Sequence, residues 1–200
     1  MDSQTITTIK GLFAKIIENN VNRDANRWLI EKANQSIDTN DYQLKLTFTI
    51  IPRKMGKKEI VVKESDREQI NILIPGFSMH HWTVDRLSRV WLLMQLKACE
   101  KEKFISRIAN LFVEAEMNEQ VAIYSSLPFL AYPEEWILRC SEGIRSNIGT
   151  VQEAIMYDNP YPSKYLDEAA WNQLVMKAFF AYMDVCRICG LDERANKNLA

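Results

Sequence analysis

The chain has 200 residues, 47% of them hydrophobic, and its 25 basic residues nearly balance 26 acidic ones, which leaves a net charge of −1. This length and apolar content suffice for one domain, residues 1–200, with a substantial core. The balanced charge excludes the global positive field that nucleic-acid binding or attraction to an anionic membrane requires, so no nucleic-acid partner is expected.

The N-terminal quarter predicts two helices and one ambiguous segment. Apolar residues recur at helical spacing over residues 5–19 and again over residues 24–37. In residues 44–51 the apolar positions alternate as in a strand, but three of them also fall on one helical stripe. Pro52 is expected to end this segment in either case.

Helix start signals mark the middle of the chain. Ser65–Glu68 has the capping-box pattern and predicts a helix that stops at Pro75–Gly76. Thr83 is expected to cap a strongly amphipathic helix, and Asn118 another one over residues 119–127.

Two more helices complete this region. The apolar spacing predicts one over residues 104–115, and Pro133 fits the first turn of another that reaches Ile144. Gly149 either ends the latter or only weakens it, because the apolar face continues to Tyr157.

The stretch Tyr157–Asn196 packs polar side chains among aromatic ones more tightly than any other part of the chain. Pro162 and Ser163 form a start signal, and no Gly or Pro follows from Lys164 to Gly190, so a long helix, buried on most sides, is predicted. The whole pattern predicts an all-α fold of nine or ten stacked antiparallel helices, as an irregular solenoid or a helical bundle.

The N-terminus and the cysteines indicate the cellular compartment of the protein. The first residues carry neither a basic nor a continuous apolar segment, so no signal peptide is expected. No window approaches the ~18 apolar residues that a transmembrane helix needs. The sequence predicts a cytoplasmic protein, which suits reduced thiols at its four cysteines, each in a helical pattern: Cys99, Cys140, Cys186 and Cys189.

Several motifs resemble the signature of the EboA family. They are Asn159-Pro160-Tyr161-Pro162, Asp167-Glu168-Ala169-Ala170-Trp171-Asn172-Gln173, Gly190-Leu191-Asp192 and Arg194-Ala195-Asn196, with Trp82-Thr83, Leu127-Pro128 and Tyr132-Pro133 before them and Tyr165 between. The resemblance spans roughly Leu44 to Asn196. It implies a metabolite traffic protein, associated with moving secondary-metabolite precursors between compartments and without an assigned chemical step. It also favours the helix for residues 44–51.

Two features depart from the family pattern. Cysteine is not expected at Cys186 and Cys189, which argues that both are incidental. The family's chain usually continues into a further helix, whereas this sequence stops at Ala200, and a natural end and a truncation both remain open.

Several chemistries lack the residues they need. His80 and His81 are the only histidines, and adjacent side chains point to different sides of the backbone, so no metal site is expected. The glycines are too scattered to bind phosphate, and no second histidine-based constellation supports nucleophilic hydrolysis. Neither a metal nor a cofactor is predicted.

A polar set in the last third of the chain is the candidate site. It either pins the last helices together as a hydrogen-bonded network or lines a pocket for a small metabolite. The candidate ligand-binding residues are Asn159, Tyr161, Glu168, Trp171, Asn172, Lys177, Arg145 and Asp192. The resemblance adds Trp82, Asp85 and Arg89 to the same cleft.

Together with these patterns, the resemblance implies a non-catalytic component of a secondary-metabolite trafficking pathway. It would bind partner proteins of that pathway and a small metabolite. The enzymatic alternative acts on an isoprenoid or sugar-phosphate substrate, with Glu168 or Asp192 as the acid/base. A purely structural adaptor without any ligand would instead have no pocket, and its most exposed apolar patch would lie on a helix face away from Trp171.

Overall fold

The computed structural model describes residues 2–38 and 41–199, without the side chains of residues 36–38. Eleven α-helices are present in the described residues: α1 (Ser3–Asn20), α2 (Arg23–Asp38), α3 (Asp41–Met55), α4 (Glu64–Leu73), α5 (Val84–Met94), α6 (Lys101–Glu114), α7 (Met117–Ser126), α8 (Ile137–Arg145), α9 (Gly149–Met156), α10 (Tyr161–Tyr165) and α11 (Glu168–Phe180). Three 3₁₀ segments span Leu127–Phe129, Pro133–Trp136 and Val185–Arg187. Extended pairing in this part of the chain is limited to isolated bridges. The all-α prediction is confirmed.

Helix α5 is the centre of the fold, because every one of its side chains except Arg86 is buried. It packs against α1, α2, α3 and α7. Helix α7 in turn contacts α9, α9 contacts α8, and α8 contacts α11. The sequence interpretation centred the molecule on Tyr157–Asn196, whereas α11 lies at the far end of this succession of contacts.

Residues 44–51 are helical, as the resemblance favoured, but Pro52 does not end the helix. Helix α3 continues through Pro52 to Met55. A proline lacks the N–H that would bond the carbonyl four residues earlier, here that of Phe48. The Nε atom of Arg89 donates to this carbonyl at 3.0 Å, so a tertiary contact replaces the missing helical bond.

The capping box predicted at Ser65–Glu68 is wrong. Helix α4 begins at Glu64, and its N-cap, Lys63, makes no side-chain cap bond. Asp66 is buried and pairs with the ammonium of Lys15 at 2.6 Å. The carboxylate of Asp66 therefore links α4 to α1 and does not cap the start of α4.

Helix α7 has a capping box, but at another residue than predicted. Its N-cap is Glu116, which forms a reciprocal capping box with Glu119. Asn118, the predicted cap, lies inside the first turn. Gly149 does separate two helices, since α8 ends at Arg145 and α9 begins at Gly149.

The long helix predicted after Lys164 is broken in two places. Asp167 starts a new helix by accepting a hydrogen bond from the Ala170 amide at 2.8 Å, which separates α10 from α11. The break raises the helix number above the nine or ten expected. The second break follows Phe180, where turns and a 3₁₀ segment replace the helix.

The cysteines do not all lie in helices. Cys140 is in α8, but Cys99 lies in a loop, Cys186 in a 3₁₀ segment and Cys189 in a turn. All four are free thiols.

Candidate functional site

The first two candidate residues, Asn159 and Tyr161, are buried and hold neighbouring backbone in place. The Asn159 amide donates to the Ala154 carbonyl at 2.9 Å and accepts from the Tyr161 N–H at 3.0 Å. The Tyr161 hydroxyl donates to the Pro133 carbonyl at 2.5 Å. Burial raises the pKa of Tyr161, so the phenol remains a donor. These residues join α9 and α10 to the loop that precedes α8.

Trp171 and Asn172 face the C-terminal segment. The side chain of Trp171 is fully buried, and the guanidinium of Arg194 lies 4.8 Å from its ring. The amides of Asn172 and Asn196 exchange two hydrogen bonds, at 3.2 and 2.9 Å. The segment after residue 190 is thereby fastened to α11.

The other candidates lie near or at the surface. Lys177 donates to the Asn147 amide oxygen at 3.2 Å, and both line an open polar cleft of about 380 Å³. Exposed Glu168 accepts from Asn198 at 2.7 Å. Two further candidates, Arg145 and Asp192, are exposed and lie outside this cleft. The structure thus divides the set among the interior, the C-terminal segment and the surface.

A larger cavity of about 430 Å³ lies where α1, α5, α6 and α10 approach the loop between α7 and α8. Most of its lining side chains are apolar and four are aromatic rings, while polar atoms also form a substantial part of the exposed wall. The lining residues are Ser3, Ile6, Lys10, Leu93, Met94, Leu96, Ala98, Phe104, Pro128, Phe129, Leu130, Ala131, Tyr132, Pro133 and Tyr165. This volume and lining are typical of pockets for small organic ligands.

Two polar groups of this cavity have unused hydrogen-bonding capacity. The ammonium of Lys10 and the hydroxyl of Tyr165 make no hydrogen bond or ion pair with the residues described. Burial lowers the pKa of Lys10 and, together with Glu134, raises that of Tyr165. The cavity is therefore lined by a residue that carries a cation and by one that carries a hydrogen-bond donor, Lys10 and Tyr165.

Tyr132 is held at the cavity wall in an unfavourable conformation. Its φ of 55° lies in the left-handed region, which costs a non-glycine residue roughly 1–2 kcal/mol. The hydroxyl of Tyr132 donates to the Ala98 carbonyl, and the ammonium of Lys101 lies 5.5 Å from its ring. These contacts tie together two loops that border the cavity.

The predicted site touches this cavity through Tyr161. Its ring lies 4.9 Å from that of Tyr165, and its hydroxyl binds the carbonyl of Pro133, so both partners of Tyr161 are lining residues. Sequence reasoning missed Lys10, Leu93 and Phe104, because they come from distant helices. Within the family motifs, Pro128, Tyr132, Pro133 and Tyr165 line the cavity, and these motifs were the signal that could have located it.

The remaining predicted groups do not extend this cavity. Asp85 and Arg89 are buried in the contacts of α5 with α3 and α7, and Trp82 packs against Phe77 at 5.6 Å. Glu168 and Asp192, the acid/base candidates, are exposed and line neither the cavity nor the polar cleft. Their positions give the enzymatic alternative no support.

Fold and cavity together define a class: an all-α protein with an apolar chamber of ligand size. The chain belongs to the EboA family, since the family model described as metabolite traffic protein EboA matches residues 9–200. Comparisons with curated proteins and with solved structures gave no match. Family membership confirms the resemblance and indicates a role in metabolite traffic. Among the described helices, none combines the length and apolar character needed to span a bilayer.

Proposed function

We propose that this protein is a non-catalytic, cytoplasmic component of a metabolite-trafficking pathway that holds a small metabolite in the apolar cavity. The observation that carries this proposal is the combination of a volume of about 430 Å³ with four aromatic side chains in the wall. Burial of apolar ligand surface against such walls supplies the binding free energy, and the few polar groups orient the ligand.

The lining chemistry favours binding over turnover. Among the described lining residues there is no carboxylate, histidine or thiol, the groups that most often transfer protons or attack a substrate. In this proposal Asn159, Tyr161 and Trp171 support the wall that carries Tyr165. Lys177 belongs to the separate polar cleft, while Glu168, Asn172, Arg145 and Asp192 remain candidate contacts of the C-terminal third.

The test compares the native mass of the protein, purified gently from its own organism, with its denatured mass. We expect a small co-purifying molecule with the wild-type chain. Ala131→Phe fills the cavity with a phenyl ring and should abolish the additional mass, whereas Ala169→Phe, on the exposed face of α11, should retain it.

A circular dichroism melt of both variants establishes that they are folded. Absence of any small mass from the wild-type protein, or its retention in folded Ala131→Phe, would contradict the assignment of this cavity as the binding site.

A second function, docking of a partner protein of the same pathway, is favoured by an exposed aromatic patch. It consists of Met176, Phe179, Phe180 and Tyr182, with 41%, 58%, 76% and 98% of their surface exposed. The three helical members are exposed where Trp171 on the same helix is buried, so the patch faces away from it. That is the position the adaptor hypothesis predicts for such a patch, whereas the cavity opposes an adaptor without any ligand.

A further inference from the structure

We infer that the ligand of the apolar cavity is a monocarboxylic acid with a compact apolar body, whose carboxylate pairs with Lys10 and accepts a hydrogen bond from Tyr165. This inference rests on the proposed function and adds the chemical class of the metabolite. It follows from the two polar groups that face the cavity without a partner in the described chain.

The first step concerns charge. Lys10 is half-buried at the cavity wall, and desolvation lowers its pKa, so an unpaired ammonium here is unfavourable. No described lining residue carries a negative charge that could neutralise it. A ligand anion would recover the lost solvation through a charge-assisted hydrogen bond.

The second step concerns the number of charges. The described lining contains a single cation, and no arginine, the residue best suited to bidentate binding of phosphate. A phosphate dianion would bring one negative charge more than the wall can neutralise. A carboxylate matches the single ammonium, and the Tyr165 hydroxyl supplies a donor to its second oxygen.

The third step concerns the body of the ligand. Phe104, Phe129, Tyr132 and Leu93 supply large apolar side chains to the wall. Hydroxyl-rich molecules such as sugars would lose their water there without enough replacement hydrogen bonds. An aromatic or short aliphatic ligand body can pack against these apolar side chains.

The experiment titrates three naphthalene probes into the purified full chain by calorimetry at neutral pH: 1-naphthylacetic acid, its neutral amide and 1-naphthyl phosphate. We expect the acid to bind about tenfold more tightly than the amide, the scale of one charge-assisted hydrogen bond. Lys10→Met should reduce the affinity for the acid to that for the amide and leave the amide unaffected. Tyr165→Phe should weaken acid binding alone.

The control is Lys103→Met, an exposed lysine outside the cavity, which should leave all three affinities unchanged. Equal affinities for acid and amide, a preference for the acid that survives Lys10→Met, or tighter binding of the phosphate would each overturn the inference while the cavity remains a binding site. If no probe binds, the inference fails, and the native-mass comparison of the wild-type chain and Ala131→Phe decides the proposed function separately.

Discussion

At the scale of single residues, Arg89 shows how one buried cation serves three elements. Its Nε atom donates to the Phe48 carbonyl in α3, and its Nη1 atom lies 2.9 Å from a carboxylate oxygen of Asp85 in α5. Its Nη2 atom lies 3.8 Å from Glu119 in α7. Burial lowers the pKa of Arg89, while Asp85 and Glu119 oppose this effect. The guanidinium is therefore charged and paired inside the core.

We predict that Arg89→Met lowers the free energy of unfolding by about 3–5 kcal/mol, because it leaves two carboxylates buried without a cation. Arg67→Met is the matched control, since the pair between Arg67 and Glu64 is exposed and such pairs contribute about 0.2–1 kcal/mol. Urea titration followed by circular dichroism measures both. Similar losses in the two variants would refute the structural role of Arg89.

At the scale of elements, the joint between α10 and α11 depends on the C-terminal segment. A short helix leaves its last carbonyls without intrahelical partners. The Nη1 atom of Arg194 donates to the carbonyls of Ser163 and Leu166 at 3.1 and 2.9 Å, and its guanidinium covers Trp171. The N–H of Leu166 satisfies the Pro162 carbonyl locally, and a distant residue satisfies the carbonyls of Ser163 and Leu166.

Arg194→Ala should make the amides of residues 163–174 exchange with deuterium about tenfold faster, because the loss of these bonds lowers the local opening free energy by the order of 1–1.5 kcal/mol. The amides of α1 should keep their protection. Hydrogen exchange with mass spectrometry measures both regions. Arg145→Ala, at an exposed side chain, serves as the control. If Arg194→Ala shows the same exchange pattern as this control, Arg194 does not fasten the joint between α10 and α11.

At the scale of the whole molecule, the cavity and the aromatic patch occupy different places. The cavity borders α5, the buried centre, whereas the patch lies at the end of α11. In the proposed function a ligand held near the centre and a partner bound at this edge do not compete for the same surface. A protein in a trafficking pathway requires such separation when it receives or delivers its cargo while docked.

We expect the double variant Phe179→Ser with Phe180→Ser to lose a stoichiometric protein partner that co-purifies with the wild-type chain, since hydrophobic anchors dominate such interfaces. The control is Ile72→Ser with Val113→Ser, at positions that are exposed elsewhere on the molecule. Co-purification from the native organism with intact-mass analysis measures the complex. A partner retained by the double variant, or lost equally by the control, would contradict docking at the patch.

Much of the helix pattern could be predicted, because it depends on neighbours three or four positions apart. The core stripe of α11, with Trp171, Leu174 and Ala178 buried, follows from this spacing. Its exposed end does not, since Phe179 and Phe180 are as apolar as core residues, and only the absence of a packing neighbour leaves them in water. Apolar character indicates which side chains can be buried, and the packing of the helices decides which of them are buried.

The candidate site was predictable in part for the same reason. Tyr161 and the Tyr132–Pro133 motif were identified, and they adjoin or line the cavity. Lys10 was not, because an isolated lysine on an amphipathic helix normally faces solvent. Its place at the cavity depends on how α1 packs against α5.

By itself, the sequence determined the all-α class, most of the helices and membership of the EboA family, since helical periodicity and motif identity are properties of contiguous residues. Only the tertiary structure decided that α3 continues through Pro52, that Asp66 pairs with Lys15, and that a cavity forms around Lys10. Each of these depends on groups far apart in the chain, and their meeting is set by helix packing, which local spacing does not encode.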